Sequence, residues 1–398
     1  MSSTKAEYVL DLVILHWGVT VIATVEVAKN VQKGIPVMKI MTILGTRPEI
    51  IRLSRIIPLL DDLCDHILVH TGQNFDRTLN EIFFTELKLR SPDYLLDCRA
   101  PTLMGQIGQI LSECERVMLK EKPDLLLILG DTNSALAAMV AKRLRIPVYH
   151  MEAGNRCYDD RVPEEINRRV VDHCSDTLLP YTERSRANLL REGIEGKRIY
   201  VTGNPIWEVL THYADRIAQS QALQAMGVVC KGYFLVTLHR AENVDDEERL
   251  AKFITAFHRL YEEYGLPLIC SLHPRTHSQL EKQSRTFAGT GIQVVEPLGL
   301  FDFVCLEQNA YCVLSDSGTV QEECCLYKMP NVTLRDVTER PETLEAGSNL
   351  LAGCEPATIS RAVKTVLNQG WDWEPPLEYI VPNVSRKVVK ILLSGGNC

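Results

Sequence analysis

From residue 38 onward the chain alternates short, wholly apolar runs with longer stretches whose apolar residues recur every three or four positions. The short runs "KIMTILG" (39–45), "HILVHTG" (66–72), "DLLLILG" (124–130), "PVYHMEA" (147–153), "TLLPY" (177–181) and "RIYVTG" (198–203) predict one set of strands. A second set is "YFLVTLH" (233–239), "PLICSLH" (267–273), "IQVVEPL" (292–298), "YCVLSDS" (311–317) and "NVTLRD" (331–336). Helical periodicity fills the intervals, at 48–60, 78–89, 104–119, 134–144, 246–264 and 320–327. Strands without two-fold alternation are buried on both faces, which implies parallel sheets covered by helices. The fold class is therefore α/β, with two doubly wound, Rossmann-like halves. The segment "GNPIWEVLTHYADRI" bridges them, with a hinge near 203–205. The reading gives a first domain over 38–205, a second over 206–380, and a last helix within 381–398 that returns to the first half.

The N-terminus breaks this pattern. "LVILHWGVTVIATV" is 14 residues long, short for a membrane span, which needs about 20. It has the apolarity of a signal h-region but no small-x-small cleavage site after it. Met38, where the pattern starts, reads as a start codon, so residues 1–37 read as an added segment. A weakly membrane-associating helix is the competing reading.

Composition narrows the function classes. The chain has 398 residues, 45% hydrophobic and 24% charged, with net charge −8, long enough for two cores. No Lys/Arg run exceeds two residues, which argues against nucleic acid as a partner. Thirteen cysteines, mostly inside apolar segments and never in a CxxC pair, read as reduced, packed thiols of a cytoplasmic protein. GxxxxGK[ST], GxGxxG and HExxH are absent, which disfavours triphosphate hydrolysis, dinucleotide redox and a zinc site, so no cofactor is expected.

The candidate chemistry sits where strands end, the usual ligand edge of an open α/β sheet. "LGTRPEIIRL" places Arg47 and Arg52 near a helix start, where they meet either a phosphate or solvent. "LGDTNS" ends a strand on Asp131, a possible helix cap. "HMEAGNR" ends one on Glu152, which capping does not explain, because Gly154 follows and no helix begins. "VPEEINRR" puts Glu164 and Glu165 in a helix's first turn, where the dipole alone can account for acids. "LHRAEN" and "LHPRT" end two strands of the second half on His239 and His273, followed by Arg240 and Arg275. "LSDSGTVQEE" is the strongest local signal: backbone N–H groups at Ser317, Gly318 and Thr319 can hold a phosphate at a helix start. Glu323, one turn in, can reach a hydroxyl pair, and "TERPE" adds Arg340.

In order and spacing, these segments resemble the non-hydrolysing UDP-N-acetylglucosamine 2-epimerase family from about Met38 to the end of the chain. The resemblance implies a glycosyltransferase-B-like architecture and a homodimer that spans no membrane. It implies interconversion of UDP-GlcNAc and UDP-ManNAc, for polysaccharide precursors, without metal or nicotinamide. It assigns Asp131, Glu152, Glu164 and His239 as catalytic. Arg47, Arg52, Phe303, Ser317, Gly318, Glu323 and Arg340 become contacts to the substrate and its UDP, and His273 and Arg275 join them from the residue reading alone, as strand-end groups suited to an anion. The implied chemistry is elimination of UDP to a 2-acetamidoglucal and re-addition, with Asp131 and Glu152 expected to face C2 and Glu164 assisting. Two departures matter. "NRCYDDRVPEEINRR" is two residues shorter than in many such enzymes and resembles the branch acting on UDP-2-acetamido-2,6-dideoxy-L-talose, which yields UDP-N-acetyl-L-fucosamine. Asp76 stands where allosteric members carry glutamine, so activation at a second site is not expected. A glycosyltransferase of the same architecture and a non-catalytic UDP-sugar sensor are the competing classes.

Overall fold

The computed structural model describes residues 37–73, 77–272, 274–287, 289, 291–370 and 372–394. Residues 1–36 of the segment read as an addition, His273 and Asp76 lie outside the described residues. The first half has strands β1 (Lys39–Leu44), β2 (Asp65–His70), β3 (Tyr94–Leu95), β4 (Leu125–Leu129), β5 (Val148–Met151) and β6 (Thr177–Leu179). The second has β7 (Phe234–Leu238), β8 (Leu268–Leu272), β9 (Ile292–Val295), β10 (Cys312–Ser315), β11 (Asn331–Thr333) and β12 (Asn349–Leu351).

The first sheet runs β3-β2-β1-β4-β5-β6 and the second β12-β11-β10-β7-β8-β9. Read from each half's own first strand, the two orders are the same. Every strand pair is parallel, in registers such as Ile40↔Leu125 and Val313↔Leu235. β4 is buried at all five positions, as its unbroken "LLLIL" predicts. Two doubly wound sheets of this kind make the glycosyltransferase-B-like architecture that the resemblance implied.

Several details differ from the sequence expectation. β3 and β12 are two- and three-residue edge strands, too short to carry a period. Residues 198–203 form no strand; Ile199 makes only an isolated bridge to Leu178, and Gly203 turns away at φ +91°. The helix expected over 48–60 is two helices, Arg47–Leu53 and Ile57–Leu63. Pro58 lies in the second one's first turn and has no N–H to continue the first.

One core cluster joins distant parts of the chain. Ile40, Leu60 and Leu127 of the first half pack in it with Ile206, Val209, Leu210 and Tyr213 of the bridging segment. Val384, Val388 and Leu392 of the last helix, Val384–Leu393, belong to it too, and so do Leu300, Phe301 and Val304 of the second half. The bridge thus packs on the first half's core as well as linking the halves. All twelve described cysteines are free. Among the described residues no helix is long and apolar enough to cross a membrane.

Candidate active site between the two halves

The backbone aims the acids. Gly130 (φ +76°) ends β4 and turns the chain into Asp131; Glu152 itself stands in the left-handed region at φ +65°, and Gly154 follows at φ +79°. That conformation costs a residue with a Cβ about 1–2 kcal/mol, and such strain gathers at functional sites. On the first strand's loop, Thr46 and Glu49 form a capping box. Glu49 also accepts from Gly45 N–H at 2.9 Å and from Thr132 Oγ1 at 3.0 Å, tying the loop that carries Arg47 to the loop that carries Asp131.

Arg168, on the Pro163–Cys174 helix, donates to Asp131 through Nε at 2.8 Å and to Glu165 through Nη1 at 2.8 Å. Glu165 is fully buried and serves this pairing. Glu152 accepts from Arg52 and Arg340, and both arginines also donate to Glu322. Arg52 and Glu152 come from the first half, Arg340 and Glu322 from the second, so four buried charges close a ring across the gap. Arg52 and Arg340, both expected to contact the substrate or its nucleotide, direct their forks to these carboxylates. Glu164 and Glu339 are joined through Arg240, at 3.6 and 3.1 Å.

These partners split the carboxyl groups. Burial pushes Asp131 up, Arg168 opposes, and the negative charges of Glu152, Glu164 and Glu339 push it further up. Burial also raises Glu152, but Arg52 and Arg340 outweigh it and hold Glu152 down at about 2. Neighbouring carboxyls with proton affinities pushed apart are the signature of an acid/base site.

Beside this cluster opens a cavity of about 810 Å³, counting the space that reaches solvent, lined among others by Arg47, Phe83, His239, Phe303, Ser317 and Glu323. His239 Nδ1 lies 2.8 Å from the buried carboxylate of Asp316, which also accepts from the His239 and Arg240 N–H groups and Asn243 Nδ2. Asp316 is thereby held far below the usual carboxylate range against the effect of burial. Ser317 caps the ten-residue helix Gly318–Tyr327, whose N-terminal N–H groups face anions favourably. A Cβ on Gly318 would fall 2.7 Å from Glu339 Oε1, so a larger residue there would have to displace the Glu339 carboxylate from its arginine partners. Glu323 is pushed up to about 8, by burial first and the charge of Glu322 second. Burial lowers Arg47, whose guanidinium lies 5.8 Å from the Phe83 ring centroid.

Most residues singled out in the sequence therefore converge on one gap. Arg275 does not: it is half exposed and pairs with Asp245, away from the buried cluster. Sequence reasoning missed Arg168, Asp316, Glu322 and Glu339. Each abuts a residue it did select, and charges flanking a strand-end acid or a helix start were the available signal.

A family model described as UDP-N-acetylglucosamine 2-epimerase matches residues 61–393. The chain is 43% identical to the UDP-N-acetylglucosamine 2-epimerase of Methanocaldococcus jannaschii, over 90% of this chain and 100% of that protein. It is 38% identical to the UDP-2,3-diacetamido-2,3-dideoxy-D-glucuronate 2-epimerase of Pseudomonas aeruginosa, over 83% and 93% of the two chains. The crystal structure of the M. jannaschii enzyme in complex with UDP-GlcNAc and UDP superposes with a TM-score of 0.85, covering 90% of this chain and 100% of that one. By sequence, fold and the order of its strand-end motifs, the chain belongs to the UDP-N-acetylglucosamine 2-epimerase family.

Proposed function

We propose that the protein interconverts UDP-GlcNAc and UDP-ManNAc by eliminating and re-adding UDP. What carries the reading is the pair of carboxyl groups on adjacent strand ends whose proton affinities are driven in opposite directions. In the forward step a base takes the C2 proton, its electron pair forms the C1=C2 bond, and the C1–O bond breaks with its pair leaving on UDP. Asp131, with raised proton affinity, is suited to take that proton. Glu152, held ionised between two guanidinium groups, is a weak base; its charge instead stabilises the cationic character that develops at C1. Glu164, on the neighbouring helix, returns a proton to the opposite face as UDP re-adds. This revises the expectation that Asp131 and Glu152 share the work at C2. The departing diphosphate takes its stabilisation from Arg47, His239 and the helix start at Ser317, with Glu323 on the ribose and Phe303 beside the uracil.

The test is incubation with UDP-GlcNAc in deuterated water, followed by NMR. Deuterium at C2 together with a UDP-ManNAc signal is expected; binding without exchange would refute the reading. Asp131→Asn should leave UDP affinity within about twofold and cut exchange by 10²–10⁴, the usual worth of an acid/base group. The shortened segment between Glu152 and Glu164 favours a second reading, UDP-2-acetamido-2,6-dideoxy-L-talose, and the same experiment with that sugar decides between them. Light scattering at twice the chain mass would support the homodimer, and fractionation the cytoplasmic location suggested by the free thiols.

A further inference from the structure

Two buried residues that this mechanism leaves unused sit beneath the catalytic strand ends. His150, on β5, is 1% exposed and Asp172, on the Pro163–Cys174 helix, is 0% exposed. His150 Nδ1 lies 2.8 Å from Asp172 Oδ1, and Nε2 lies 2.8 Å from the carbonyl oxygen of Gly130. Asp172 Oδ2 in turn accepts from Gly154 N–H at 3.1 Å and pairs with Arg156 Nη1 at 2.8 Å. Arg156 continues to Glu192 at 2.6 Å.

The chemistry of the partners sets the state of the ring. A carboxylate and a carbonyl oxygen only accept, so each of these two contacts calls for an N–H on the His150 ring. Arg156, set between the carboxylates of Asp172 and Glu192, makes the cluster tolerable inside the protein. Burial would raise the Asp172 carboxyl, but His150 and Arg156 bring it down.

Geometry says what the cluster does. The register between β4 and β5 ends at Leu129↔Met151, and the last backbone bonds there are from Gly130 N–H to Met151 O at 3.0 Å and from Glu152 N–H to Leu179 O at 3.1 Å. Beyond it the chain turns at two glycines with positive φ, Gly130 and Gly154. Glycine has the widest backbone freedom of any residue, so these turns do not by themselves fix the side chains they carry. The His150–Asp172 pair bridges them: it grips the carbonyl just before Asp131 and the N–H two residues after Glu152.

We propose that His150 and Asp172 are positioning residues, a charged tie between the Gly130 carbonyl and the Gly154 amide that sets the spacing of Asp131 and Glu152. They touch no substrate and act through the two carboxylates. The inference rests on the epimerase reading for its kinetic readout, but the tie is also observable without turnover.

The experiment compares the full-length wild type with His150→Gln and Asp172→Asn. Turnover and C2 deuterium exchange are normalised to UDP-binding sites measured by calorimetry. Both variants should lose at least tenfold in kcat and in exchange, with UDP affinity within twofold, because the UDP contacts belong mainly to the other half. A purely structural role would lower UDP affinity and binding-site count in parallel and leave kcat per site unchanged, which overturns the proposal. Should the variants fail to fold, the wild type decides: NMR on histidine-labelled protein should show both ring N–H protons protected, one bonded to the Asp172 carboxylate and the other to the Gly130 carbonyl. A bare nitrogen on that ring at neutral pH refutes the tie. If wild type exchanges no C2 proton, the epimerase reading has failed, and the NMR result still stands or falls alone.

Discussion

Replacing Arg52 by methionine removes one corner of the buried ring and keeps most of the side-chain volume. Glu152 and Glu322, 6% and 0% exposed, would then share Arg340 alone, and the ring would go from neutral to one net negative charge. Breaking a buried pair by removing one partner costs about 3–5 kcal/mol; an exposed pair is worth about 0–1 kcal/mol. We expect the larger loss at pH 7, read as a shift in urea unfolding followed by tryptophan fluorescence. Arg52→Lys keeps the charge but not the two-pronged fork and should cost about 1–3 kcal/mol. The loss should depend on pH. Glu152 is held at about 2 against an ordinary 4.5, so its stabilisation is present above 4.5 and is lost as pH falls through about 2. Without Arg52 the crowded carboxyls take up a proton more readily, so the gap between variant and wild type should narrow as pH drops below 4.5. A loss under about 1 kcal/mol, or one of equal size at pH 7 and pH 4, would refute the reasoning.

Other outcomes follow from the same geometry. Leu392→Ala hollows the core under the last helix and should cost about 2–5 kcal/mol in thermal or urea unfolding, although it lies far from the site. Gly203→Ala meets Val381 Cβ at 2.8 Å and a backbone at φ +91°, so it should destabilise by about 1–3 kcal/mol, and unchanged stability would count against the tight crossing there. Glu323, pushed up to about 8, must be ionised to accept two ribose hydroxyls fully. UDP affinity measured by calorimetry should therefore rise from pH 6.5 to 9, with proton release on binding, and Glu323→Gln should flatten that dependence.

What could be read from residues alone was whatever a short stretch carries by itself. Wholly apolar strands such as "LLLIL" announce a parallel sheet, and an acid or a glycine at the end of one announces a ligand edge, so Asp131, Glu152, His239 and Ser317 were visible. β3 and β12 were not, because two or three residues hold no period. The ring was not visible either: Arg52 and Glu322 are 270 residues apart, and no local pattern says which guanidinium meets which carboxylate. For the same reason the carboxylate partners of Arg52 were not foreseen, since an arginine near a helix start reads the same whichever anion it finds. The His150–Asp172 pair spans 22 residues, and each member reads separately as an ordinary core or helix position.

The helix Val384–Leu393 completes a core that begins at Ile40. During synthesis, the apolar face that will receive Val384, Val388 and Leu392 emerges well before that helix and stays uncovered until residues 384–393 have followed it out of the ribosome. Of the two halves, the first is made earlier and finished later. A growing chain with that exposed face needs either rapid completion or a chaperone holding it, and any stop codon upstream of Val384 leaves a protein whose flaw lies at the opposite end from the residues it lost.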